Sequence, residues 1–175
     1  IIAGEQHIEA LSAADYLGPA FAAVYRSFGY DAVAAPSLSK ANFAHAKRDC
    51  SGKECLSYQM VWGAFREHLE TDLADKETRL VQITGQMCRA GVFDVKDRIS
   101  IAKMGLADRV TVTGLRVAGG AAMAAMLWTG LVALDILRQL YVYHLAVEPR
   151  VGEAADLYRP YCEAVLRIIE RRTPE

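Results

Sequence analysis

The sequence has little cysteine, little histidine and no excess of charge of either sign. Four cysteines in 175 residues are too few for a disulfide scaffold, and the thiols are expected to be reduced in a cytoplasmic setting. The four histidines, His7, His45, His68 and His144, form no H-x3-H or HExxH pair, which argues against a histidine metal site. No C-x2-C pair signals zinc. Phosphate loops and the GxGxxG fingerprint are absent, and the AGG at 118–120 fits neither. Twenty basic residues against 21 acidic ones leave no whole-chain field, so neither nucleic acid nor an anionic membrane is an expected partner. No basic stretch precedes an apolar one at the start, so no signal peptide is read. Residues 1–175 are expected to form a single domain, a fragment of a longer multidomain protein.

Apolar residues, by contrast, are plentiful at 53%. The run VAGGAAMAAMLWTGLVAL, Val117–Leu134, carries no charge and has the length of a bilayer span. Much of it is Gly and Ala, and the helical pattern continues through Asp135, Arg138 and His144, which would be costly in hydrocarbon. A buried helix of a layered fold is the expected reading. Trp62 and Trp128 are expected to be core aromatics, and Asp135 with Arg138 an i, i+3 ion pair.

Helical spacing puts Leu17, Phe21, Val24 and Phe28 on one face, with Pro19 implying a kink or a start near residue 18 and Gly29 ending the helix. DAVAAPS follows as a short buried strand. The same grammar recurs in DVKDRISIAKMGLADRVTVTG, where Gly105 separates a helical segment from the strand RVTVT. Val61, Phe65, Leu69 and Leu73 form another helical stripe, followed by the strand TRLVQIT. Strands alternating with helices predict an α/β domain, with a mainly parallel sheet of about four strands, helices on both faces and a helical C-terminal part.

In such a sheet the loops after the strands share one edge, where ligands bind. Cys50 and Cys55 lie in and just after the loop following DAVAAPS, and Cys88 lies in GQMCRAG directly after TRLVQIT. Cys55 also begins a helical stripe, a setting that favours thiolate. Glycines 52, 85 and 91 permit close approach of a bulky ligand, while Lys53 and Arg89 could offset its charge. From the residues alone three readings stand open for these thiols: metal or cluster ligation, a Cys50–Cys55 disulfide, or ordinary buried cysteines. Cys162, in RPYCEAVL, reads as a core thiol.

SGKECLS resembles the SGKECxP segment, and GQMCRAGVF the GPCRFGQY segment, of proteins related to the 2-hydroxyacyl-CoA dehydratase subunits, above all the dehydratase-subunit-like part of the large acyl-CoA dehydratase activases. The resemblance continues at WTGLVALDILRQLYVY and VGEAADLY and covers roughly residues 45–160. Ser57, Met87, Ala90 and Val92 depart from the usual motif residues. The resemblance implies a small flavodoxin-like domain holding a cubane iron–sulfur cluster, of 4Fe-4S type, through cysteines. Cys55 and Cys88 match the motif cysteines; Cys50 matches no motif position and is a candidate third ligand.

It further implies electron transfer linked to ATP-driven, low-potential reduction of acyl-CoA substrates in anaerobic metabolism, with an ATPase activase domain or subunit as partner. An acyl-CoA substrate and a second copy of the domain are further candidate partners. Such a cluster needs an iron left open to substrate and a potential tuned by thiolates and hydrogen bonds. No separate acid–base pair is evident in the sequence, so whether the chain is itself part of an enzyme stays open. The alternatives are a non-catalytic docking or dimerisation module with unmetallated thiols, and a zinc-binding structural domain.

Overall fold

The computed structural model describes residues 7–10, 16–35, 38–71, 77–82, 92–114 and 120–171. Along the chain the elements are β1 (His7–Ala10), α1 (Leu17–Ser27), β2 (Asp31–Ala34), α2 (Asn42–Ala46), α3 (Leu56–Thr71), β3 (Thr78–Gln82), α4 (Phe93–Lys103), β4 (Val110–Gly114), α5 (Gly120–Val147) and α6 (Glu153–Arg171). The strands pair in the order β2-β1-β3-β4, all parallel, with Ile8 opposite Ala32 and Arg79, and Leu80 opposite Val112.

The expectation of a small flavodoxin-like α/β domain is corrected. The described protein is mainly helical: its strands are only four or five residues long, whereas α3, α5 and α6 run to 16, 28 and 19 residues. A five-residue strand reaches about 17 Å and a 28-residue helix about 42 Å. The long helices therefore outrun the sheet. No residue of α5 beyond Leu134 is buried, and the C-terminal half of the helix meets α6, with Arg138 lying over Tyr16.

Successive strand residues point to opposite faces, and β3 supplies both cores. Leu80 joins the cluster formed with Tyr58, Trp62 and Phe65 of α3, Ile101 of α4 and Val112 of β4. Val81 joins the other, with Phe21 and Val24 of α1, Met123 and Leu127 of α5 and Ile169 of α6. The helical stripes read from the sequence account for much of this packing: Phe21, Val24, Val61, Phe65 and Leu69 are buried. Leu73 lies outside the described residues.

The helix starts at Leu17, close to the start near residue 18 that Pro19 implies, so Pro19 occupies the first turn, where backbone N–H groups have no intrahelical partner. Gly29 and Gly105, with φ of +84° and +73°, terminate α1 and α4 in the left-handed conformation that glycine adopts without a Cβ penalty. A third glycine acts through contact. A Cβ on Gly63 of α3 would overlap the Asn42 carbonyl of α2, and Asn42 is itself held by the Ser39 N–H donating to its Oδ1 at 2.5 Å and by its Nδ2 donating to Glu67 at 2.8 Å. Gly63→Ala is expected to cost about 3 kcal/mol in chemical denaturation; a loss under about 0.5 kcal/mol would mean that α2 slides away freely.

Two expectations for the C-terminal half are corrected. Trp62 is fully buried, but Trp128 is 72% exposed, so only one tryptophan belongs to a core. Asp135 and Arg138 do not form a close ion pair: Asp135 accepts from Gln139 Nε2 at 2.9 Å, and Arg138 lies over the Tyr16 ring, 5.7 Å from its centroid. The buried-helix reading of Val117–Leu134 also changes. The span Gly120–Val147 has the length and apolarity to cross a membrane, with only 28% of its most apolar window buried.

Candidate functional site

The segment joining α2 to α3 is clamped before it reaches its cysteines. Asp49 accepts from Trp62 Nε1 at 2.9 Å and pairs with Arg66. Glu70 collects Arg66 at 3.1 Å, Arg48 at 2.6 Å and His45 at 3.0 Å. These contacts press residues 45–50 along one side of α3. Lys96 of α4 then reaches across, donating to the Asp49 carbonyl at 3.1 Å and pairing with Glu54 at 3.3 Å.

Glu54 closes a tight turn with Ser51, whose N–H and hydroxyl both donate to it at 3.2 Å. Burial acts to raise the Glu54 carboxyl, but its own and Ser51's backbone N–H groups, Lys96 and the Ser51 hydroxyl outweigh that and bring it to about 2. Cys55 comes next and caps α3, its carbonyl accepting the Gln59 N–H at 3.2 Å. Lys53, Glu54, Cys55, Tyr58, Val92, Phe93 and Lys96 line a cleft of about 240 Å³.

Cys50 and Cys55 are both half-buried free thiols, which removes the Cys50–Cys55 disulfide. Their surroundings differ. Burial pushes the Cys50 thiol up to about 11, with Glu54, Asp49 and Asp97 adding to the effect against Lys96. Cys50 and Cys55 both pack against the core around Tyr58 and Leu80, and the metal-free Cys50 rests as a neutral thiol that would lose its proton on binding a metal. Cys55 also opens onto the cleft with its two lysines. Cys88, with Gly85, Arg89 and Gly91, lies outside the described residues; the chain resumes at Val92, in the wall of the cleft that holds Cys55. Among the described residues no group of three or more His, Cys, Asp or Glu side chains is placed to hold a metal ion.

Beneath the cleft lies a polar cluster that sequence reasoning missed. Asp97, Gln82 and Ser100 are buried together with Tyr58. Gln82 Nε2 donates to Asp97 Oδ2 at 2.8 Å, while Asp97 Oδ1, Gln82 Oε1 and the Tyr58 hydroxyl have no hydrogen-bond partner among the described residues. Burial pushes the Asp97 carboxyl up to about 6, opposed by the Gln82 hydrogen bond and assisted by Asp94. It also raises the Tyr58 phenol, with Asp97 the next cause. Asp97 sits in the polar stretch DVKDR, where alternation of charge reads as solvent-facing helix; only the docking of α4 on β3 turns it inward.

Cys162 is half-buried on α6, and its thiol is raised by burial, against a hydrogen bond with the Tyr158 hydroxyl. It is remote in sequence from the other cysteines and lines a separate cavity with Tyr16, Tyr141 and Tyr158.

No family model, no curated protein and no solved structure matches this chain.

Proposed function

We propose that this chain is an iron–sulfur-cluster-binding electron-transfer domain of the 2-hydroxyacyl-CoA dehydratase and activase type, cytoplasmic and served by an ATPase activase domain or subunit. The observation that carries the reading is Cys55: it stands at the start of α3, open to a cleft lined by Lys53 and by the Lys96–Glu54 ion pair, where Lys53 adds the positive charge that suits a thiolate-bound anionic group. The motif partner is Cys88, four residues before a residue of the cleft wall. Cys50 remains the candidate third ligand, its thiol losing its proton on binding, and the full ligand set draws on Cys88 as well.

When bound, such a cluster supplies a low-potential electron for acyl-CoA chemistry. The chain's own part is narrower. Lys96 holds the 49–54 segment against α4 through Glu54 and the Asp49 carbonyl, Lys53 adds positive charge to the cleft, and Tyr58 and Phe93, their rings 4.8 Å apart, form its apolar wall.

Strictly anaerobic preparation is expected to give a brown protein containing iron and acid-labile sulfide, with the colour lost in both Cys55→Ala and Cys88→Ala. A protein that stays colourless after anaerobic iron and sulfide reconstitution, with both cysteines intact, would sink the proposal; one tightly bound zinc per chain without visible absorption would replace it by a structural zinc domain. The second reading is a docking or dimerisation module with unmetallated thiols. It is favoured by Trp128, 72% exposed on a long apolar helix.

A further inference from the structure

The face of α5 turned away from the core is as apolar as the face turned toward it. At about 100° per residue, Met123, Leu127, Gly130 and Leu134 share the buried side. Trp128, Val132, Ile136, Leu140, Tyr143 and Val147 fall together within about 120° on the opposite side, and they are exposed by 72, 43, 53, 52, 68 and 61%. That stripe runs nearly 30 Å along the helix at 1.5 Å per residue. Isolated apolar side chains on a surface need no explanation, but a contiguous stripe of this size does.

From this stripe we infer that α5 pairs with α5 of a second copy of the chain, antiparallel, about a two-fold axis passing between Leu137 and Arg138. This goes beyond the general docking reading by committing to one occupant and one register; it does not depend on the cluster. Three observations favour it. The first is size: the exposed parts of the six side chains amount to on the order of 700 Å², close to the roughly 800 Å² per partner of a stable interface. The second is shape: the antiparallel register sets Trp128 against Val147 of the second copy and Val132 against Tyr143, with Ile136 beside Gln139 nearest the axis, so that each large aromatic meets a small β-branched residue.

The third is polarity at the axis. Gln139, whose amide is held by Asp135, is the polar residue beside the axis, a placement that fixes register in helix pairs. A bilayer is the weaker occupant, because Asp135, Arg138 and Gln139 lie at the middle of the helix, where hydrocarbon would be deepest, and its other face is already packed on α1 and α6.

Sedimentation equilibrium of the whole chain is expected to show a dimer in the micromolar range. Trp128→Glu, at an exposed position, is expected to weaken it at least about thirty-fold while leaving the circular dichroism spectrum and the unfolding midpoint of the monomer unchanged. Oxidising a mixture of Trp128→Cys and Val147→Cys chains is expected to give a disulfide between positions 128 and 147. A wild-type chain that is monomeric at 100 μM overturns the inference, as does a 128–128 disulfide in place of 128–147. A monomer that instead floats with phosphatidylcholine vesicles transfers the stripe to a membrane. Each of these results leaves the iron measurement untouched, so the two proposals fail separately.

Discussion

Trp62→Ala is expected to lower the stability of the domain by about 3–5 kcal/mol, the usual cost of removing a fully buried large aromatic. Trp62 is 0% exposed at the centre of the core shared by α3, α4, β3 and β4, so the cavity would be walled by several elements that cannot all collapse toward it. A second effect adds to the first. The indole N–H donates to Asp49, and Asp49 anchors the segment that carries Cys50 and leads to Cys55, so the variant should loosen the candidate site as well as the core. Urea unfolding followed by far-UV circular dichroism reads the stability, and thiol labelling of Cys55 and Cys50 reads the loosening. Trp62→Phe, which keeps most of the volume and loses the hydrogen bond, is expected to cost about 1–2 kcal/mol. A loss below about 1 kcal/mol for the alanine variant would contradict the packing described here.

Asp97→Asn is expected to do the reverse and stabilise the protein at neutral pH. The folded state holds the Asp97 carboxyl at about 6, against an ordinary value of 3.8. Below pH 3.8 the group is protonated whether the chain is folded or not, and it contributes no penalty. Between 3.8 and about 6 the unfolded chain has released the proton and the folded one still retains it, so stability falls as pH rises. Above 6 the full penalty stands, on the order of 3 kcal/mol for a displacement of about two units. Asparagine cannot ionise, and its carbonyl oxygen can still accept from Gln82 Nε2. The variant should therefore exceed the wild type by about 2–3 kcal/mol at pH 7.5 and match it near pH 4. Equal stabilities at both pH values would show that Asp97 is solvated in the folded protein.

The two effects also indicate how the site is built. Asp97 is retained at the base of a cleft where a neutral residue would be more stable, and protein interiors concentrate such costly groups at functional positions. Its carboxyl, the Tyr58 hydroxyl and the Gln82 amide come from α4, α3 and the end of β3. None of the three is marked by a local motif. The cysteines were conspicuous because they are few and sit in recognisable segments; the polar cluster beneath them was not, because a buried aspartate and an exposed one are written with the same letter in the same helical period.

Much of the local structure was legible in the sequence for a physical reason. Helical spacing of Phe21 with Val24, and of Val61, Phe65 and Leu69, follows from the geometry of the helix itself, and the glycines at 29 and 105 are read from the backbone conformation only glycine adopts cheaply. The same reading misjudged the proportions of the fold, since it weighed each strand and helix as one unit and could not see how far the long helices extend past four- and five-residue strands.

What the sequence determined alone was local: which segments turn into helix or strand, where glycine ends them, and which side chains share a face. Which face lies inside was decided only by tertiary packing. Trp62 and Trp128 both stand on apolar helical stripes, yet one is sealed beneath α2, α4 and the sheet while the other projects from α5 with no cover among the described residues. Periodicity specifies the angle between two side chains about their own helix axis. The position of the neighbouring elements, which settles the difference between core and surface, comes from contacts between residues far apart in the chain.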